Sequence, residues 1–111
     1  MSPIEKRQQE VFYSTLIGPV MAICPNYGVD PRKCLKDAAL RSRFGKYAIG
    51  NNYWKLPGRG SAGQHQLITI RRTPHSSENG GVQPEVRRFA VFKTVADAVE
   101  AYCKHEKRSR T

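Results

Sequence analysis

Acidic residues are scarce in this chain. Nine Asp and Glu stand against nineteen Lys and Arg, which leaves a net charge of +10. None of the nine lies between Asp37 and Glu78, yet that stretch holds Arg41, Arg43, Lys46, Lys55, Arg59, Arg71 and Arg72. Protein surfaces ordinarily mix charge signs, so an acid-free segment favours an anionic partner: nucleic acid, anionic lipid or an anionic wall polymer. Long apolar runs are also missing. Nothing approaches the 18 or so residues of a membrane-spanning helix. The opening MSPIEKRQQE is charged and has no apolar segment, so it does not read as a secretory signal.

Cysteine is limited to Cys24, Cys34 and Cys103, with no C-x-x-C pair and no Cys/His cluster. That argues against a zinc site, and no cofactor motif is present. An odd count without a signal predicts reduced thiols, packed as small buried residues. Cys24 and Cys34 flank a turn and are placed to meet. The glycine-rich Gly45–Gly63 run is not a phosphate loop, because Gly58-Arg59-Gly60 follows no hydrophobic strand and no Lys-Ser/Thr pair follows it. It is expected to form a mobile cleft rim.

With 111 residues, 39% of them hydrophobic, the chain fits one globular domain over 1–111, with a frayed basic tail from about Lys104. Ser2 and Pro3 open a first helix running to Leu16, with Val11, Phe12, Thr15 and Leu16 on its inner face. Gly18-Pro19 is expected to break or kink it before a short segment from Val20 to Cys24. Asp30 and Pro31 start a second helix ending near Phe44. Alternation over Gln66–Thr73 and a return over Glu85–Phe92, around the turn signal Asn79-Gly80, predict a β-hairpin. Thr94 caps a last helix whose buried stripe is Val95, Ala98, Val99 and Tyr102. The fold class is α+β, a small helical domain with one hairpin.

The chain is organised around Leu35–Leu56, where a small-residue helix, a break at Gly45 and the segment Gly50-Asn51-Asn52-Tyr53-Trp54 succeed one another. Polar and aromatic residues on a loop held by a helix form the usual wall of a cleft. The stretches Ala38-Ala39-Leu40-Arg41-Ser42-Arg43-Phe44-Gly45-Lys46 and Gly50-Asn51-Asn52-Tyr53-Trp54-Lys55-Leu56 resemble the bacterial N-acetylglucosaminidase domain of flagellar-rod and autolysin type. That family reads roughly A-A-L-E-S-G-W-G-K, a spacer, then G-N-N-(L/Y)-F-G-I-K. A weaker likeness links Phe89–Thr94 to its F-R-x-Y-x-S. The resemblance spans about Val11 to Lys104 and implies a lysozyme-like fold that acts on peptidoglycan.

One departure governs the functional expectation. The family's catalytic glutamate falls on Arg41, which is permanently charged and cannot donate a proton to a leaving group. Its second acid, in a T-x-E pattern on the hairpin, falls on Arg72 or, with a shift, on His75 or Ser76. Glycoside hydrolysis needs an acid beside the glycosidic oxygen, and losing it costs about a hundred to ten thousandfold. The resemblance therefore implies an impaired hydrolase that keeps a glycan-shaped cleft. Asn51, Asn52, Tyr53, Trp54 and Phe92 would line it, with Trp54 stacked on a sugar ring. Arg41 and Arg72 would grip carboxylates. Core packing of Tyr53 and Trp54, with the asparagines simply holding the turn, weighs equally. Three other roles are weighed beside this one: a docking block in a phage tail, injection machine or rod-like assembly; an active hydrolase with a relocated acid such as Glu78 or Glu85; and nucleic-acid binding through the basic residues. A wall-directed domain without a signal needs another route out of the cytoplasm, or carriage in a virion-like assembly.

Overall fold

The computed structural model describes residues 2–72 and 82–109. Helix α1 (Pro3–Ile23) leads through a 3-10 turn (Cys24–Tyr27) into α2 (Pro31–Ser42). A long connection reaches the antiparallel hairpin of β1 (Gly63–Arg72) and β2 (Val82–Val91), and α3 (Val95–Ser109) closes the chain. The architecture is α+β, as expected. No described helix is long and apolar enough to cross a membrane.

The predicted caps are in place. Ser2 Oγ accepts from the Glu5 amide at 3.2 Å, Asp30 Oδ1 from Arg32 at 2.9 Å and Thr94 Oγ1 from Asp97 at 3.1 Å. Each such cap contributes about 1 kcal/mol. Gly18-Pro19, in contrast, does not interrupt α1, which runs through Pro19. Proline deprives the Thr15 carbonyl of its helical partner, but Thr15 is exposed and water can serve it. Leu16, Val20 and Cys24 are fully buried on one stripe either side of the proline, and their burial holds the helix continuous. That stripe is narrower than the sequence suggests. Phe12 and Leu16 are buried, whereas Val11 and Thr15 face outward.

Helix α2 ends two residues early, because Arg43, Phe44 and Gly45 all take positive φ. Ser42 Oγ donates to the Ala38 carbonyl at 2.6 Å and accepts from the Gly45 amide at 2.9 Å, which fixes this exit. The tail is not frayed from Lys104: α3 continues to Ser109. A Lys104–Glu100 pair at 3.1 Å supports it, and Lys107 and Arg108 complement the dipole of its last turn.

The core lies between the helices. Leu16, Val20, Cys24, Cys34, Ala38, Ala98, Val99 and Cys103 are fully buried. Cys24 contacts both other thiols, with Cys103 Sγ at 3.6 Å, and all three cysteines are free. Among the described residues the hairpin joins the core at its base, through Ala90 and the following Phe92, while Leu67, Ile68 and Val86 are exposed further out. Its strands begin three residues earlier than the alternation implies, with His65 paired to Phe89 and Arg72 to Val82. The turn expected at Asn79-Gly80, together with His75, Ser76 and Glu78, lies outside the described residues.

Candidate functional site

The site is built on the connection between α2 and β1. Rather than a free rim, this segment is tied to β2. The amide of Phe92 donates to the Gly50 carbonyl at 2.8 Å, that of Ala90 to Leu56 at 2.9 Å and that of Ala62 to Val91 at 2.8 Å. Gly50 has positive φ, and a Cβ there would overlap the Val91 side chain, so only glycine permits this approach.

The two asparagines do the stapling. Asn51, also at positive φ, donates from Nδ2 to the Phe92 carbonyl at 2.9 Å. Asn52 is buried; its Nδ2 donates to the carbonyls of Leu56 and Ala90, and its Oδ1 accepts from the Leu56 amide, all at 2.9 Å. The Asn52 amide is therefore spent inside the chain at both ends, and the Asn51 nitrogen is tied to the residue following β2. Trp54 is 2% exposed, its Nε1 donates to the Cys34 carbonyl at 2.9 Å, and its ring stacks on Tyr102 with centroids 5.2 Å apart. This corrects the expectation of a sugar stacked on Trp54: the indole is a core anchor that pins the loop to α2. Phe92 is likewise buried.

Because Trp54 and Leu56 point inward, Lys55 between them points out. It stands between two depressions. The first, about 80 Å³, lies against the hairpin and is lined by Tyr47, Ile49, His65, Leu67 and Phe89. Tyr47 is half exposed, with Lys46 Nζ 5.5 Å from its ring centroid. The second, about 100 Å³, contains Arg41, Asp37, Glu106 and the edge of Tyr102. So Arg41 and Lys55 line one depression, whereas Tyr53 does not join them. Tyr53 turns toward α1, edge-on to Phe12, and lines a separate apolar hollow of about 590 Å³ with Ile4, Val11 and Phe44. The side chain of Arg72 is outside those described.

The carboxylates beside Arg41 are already engaged. Asp37 Oδ2 accepts from the Tyr102 hydroxyl at 2.5 Å and from Lys33 Nζ at 3.2 Å, and the same Lys33 reaches Glu106 at 2.8 Å. Partial burial pushes the Asp37 carboxyl up, but those two hydrogen bonds and the charges of Lys33 and Arg41 outweigh it and leave its pKa lowered. Asp37 is thus an ionised acceptor and a poor proton donor. Among the described residues no group of His, Cys, Asp or Glu is placed to hold a metal ion.

Sequence reasoning missed Tyr47, Lys55, His65 and Phe89. The period-2 rule reaches His65 and Leu67 once the strand is started at Gly63, since both then share a face. Lys55 follows from seeing Trp54 and Leu56 as core.

No family model and no curated protein matches the chain. Solved structures do. The catalytic domain of the autolysin Auto from Listeria monocytogenes aligns with a TM-score of 0.70 at 21% identity, covering 87% of this chain and 55% of that one. A C-terminally truncated glycoside hydrolase domain of FlgJ from Salmonella typhimurium gives 0.70 at 21%, covering 90% and 69%. A peptidoglycan hydrolase mutant from Sphingomonas sp. A1 gives 0.64 at 20%, covering 86% and 64%. The chain thus spans 55 to 69% of the length of these three structures, and it shares their fold, a small α+β domain.

Proposed function

We propose that the chain is a glucosaminidase-like domain that has lost hydrolysis and associates with peptidoglycan or a related glycan. The observation that carries the loss is Arg41, a permanent cation at the position of the family's glutamate, beside carboxylates held by Tyr102 and Lys33. What supports the glycan is the fold it shares with peptidoglycan hydrolases and the adjoining depression, which the exposed Tyr47 and the half-buried Phe89 line. Arg41 and Lys55 beside it suit lactyl or peptide carboxylates.

The test is release of soluble sugar fragments from purified peptidoglycan, together with co-sedimentation, for wild type and Arg41→Glu. Wild type is expected to sediment with the wall material and release nothing, and Arg41→Glu to gain release. Release by wild type would sink the loss of hydrolysis and point to an acid elsewhere, such as Glu85 on β2. Failure to sediment would sink the glycan.

A second use, as a docking block within a larger assembly, draws on the apolar hollow along α1, where Ile4 is 81% exposed and Val11 55%. Substituting Val11 with Asp should leave co-sedimentation intact under the first proposal. Under this one it should abolish incorporation into the assembly.

A further inference from the structure

The depression around Arg41 does not end at Leu56. A second one, also about 100 Å³, lies on the other side of Pro57, and the two share Leu56, Pro57 and His105. They form one furrow across the Leu56-Pro57 ridge. Arg41 and Lys55 stand over one half, and Arg59 and Arg108 over the other. All four are exposed.

The charge balance of this furrow is one-sided. Its two carboxylates, Asp37 and Glu106, are both bound by Lys33. Arg41, Lys55 and Arg59 make no ion pair with any described residue. Lys55 and Arg59 lie well inside the acid-free stretch between Asp37 and Glu78, whereas Arg41 stands one helical turn from Asp37, a carboxylate already held by Lys33 and Tyr102. Cations left unpaired along a concave strip raise the local concentration of a polyanion. The furrow's shape narrows the choice. Each half is about 100 Å³, room for one phosphate-sized group and not for a duplex. The rings of Trp54, Tyr102 and Phe92 are 2%, 3% and 6% exposed, which leaves the His105 imidazole as the exposed ring among the described furrow residues, so a run of bases finds no succession of faces to stack on.

We propose that this furrow binds a linear phosphodiester polymer without bases, of the polyol-phosphate kind, with one phosphate held in each half. Arg41 and Lys55 take the first phosphate, and Arg59 with Arg108 the second. Guanidinium forks match phosphate oxygens bidentately, which suits arginine at both ends. This goes beyond the glycan proposal. It needs neither the sugar depression at Tyr47 and Phe89 nor any hydrolysis, and it stands if neutral sugars fail to bind.

The test is fluorescence anisotropy with a labelled poly(glycerol phosphate) chain at 50 and 200 mM NaCl. Its competitors are a single-stranded oligodeoxynucleotide of equal phosphate number and a neutral chitooligosaccharide. Neutralising two phosphates predicts a roughly sevenfold loss of affinity between the two salt concentrations. Lys55→Ala with Arg59→Ala should weaken binding tenfold or more and flatten the salt dependence. Arg59→Lys should retain most of it. Arg32→Ala, a fully exposed cation at the start of α2, should change nothing. Both furrow positions are exposed, and an unchanged melting curve will show that the double variant is folded. The proposal is overturned if the double variant binds like wild type, if the oligonucleotide competes equally well, or if nothing binds at 50 mM NaCl. Displacement of the polymer by the neutral sugar would place it in the sugar depression and also overturn the furrow, whereas a sugar that fails to bind leaves the furrow standing, so the two proposals fail separately.

Discussion

The Tyr102 hydroxyl donates to Asp37 at 2.5 Å, one helical turn before Arg41, so α3 reaches across and holds a carboxylate of α2 beside the site. Because the pKa of Asp37 is lowered on folding, the folded state favours its ionised form. Its contribution to stability is complete above the unfolded carboxyl value of about 4 and is lost as pH falls through the lower folded value. Urea unfolding at pH 7 and pH 3 should show a larger loss for wild type than for Asp37→Asn. Equal losses would mean that the bond does not favour the carboxylate. Tyr102→Phe should cost about 1–3 kcal/mol at pH 7, because it removes a donor from a partly buried charge.

Trp54 carries a second prediction, and it is the chain's single tryptophan, so its emission reports on one site. With the ring against Tyr102 and Nε1 on the Cys34 carbonyl, sugar cannot reach its faces. Adding chitooligosaccharide or peptidoglycan fragments should leave the emission maximum unmoved. A shift would place a ligand on the indole. Trp54→Phe should destabilise by about 2 kcal/mol, from the lost hydrogen bond and the smaller ring.

Much of this architecture is legible from residues alone. Ser2, Asp30 and Thr94 mark the three helix starts by their capping chemistry, and the fold class follows from the hairpin and helix periods. What the sequence hides is the partner of each polar group. Asn51 and Asn52 have the same composition whether their amides face a ligand or staple a loop, and only the carbonyls of Leu56, Ala90 and Phe92 decide it. Trp54 is ambiguous for the same reason: it is core because Tyr102, 48 positions later, stacks on it. Pro19 misleads because its local cost is set against burial of Leu16 and Val20 by distant helices, a term that no local rule contains.

The thiol cluster should be chemically silent in the native state. Cys24, Cys34 and Cys103 are fully buried, and desolvation pushes the Cys34 thiol up and that of Cys103 up to about 12. At pH 8 almost no thiolate is present on either to attack an alkylating reagent. Intact mass after iodoacetamide should show no adduct on native protein and three after unfolding. Rapid native labelling would mean that α3 opens readily from the 3-10 turn.

Arg43 falls on the first glycine of the A-A-L-E-S-G-W-G-K motif that the chain resembles, and its φ is 50°, in the left-handed region. A side chain with a Cβ is strained there by about 1–2 kcal/mol relative to glycine. Glycine gives back part of that through its greater freedom in the unfolded chain. Arg43→Gly should therefore stabilise by about 0.5–1 kcal/mol and raise the melting temperature by a few degrees. The hydrogen bond from Gln8 Nε2 to the residue 43 carbonyl, 3.2 Å long, uses only backbone and should survive. The adjacent Phe44, at φ 55°, packs edge-on against Phe12, so Phe44→Gly should lose more through packing than it gains through relaxed backbone. Opposite signs at these neighbouring positions, measured by thermal unfolding, would separate backbone strain from side-chain burial. A destabilised Arg43→Gly would instead show that the arginine side chain itself holds the exit of α2.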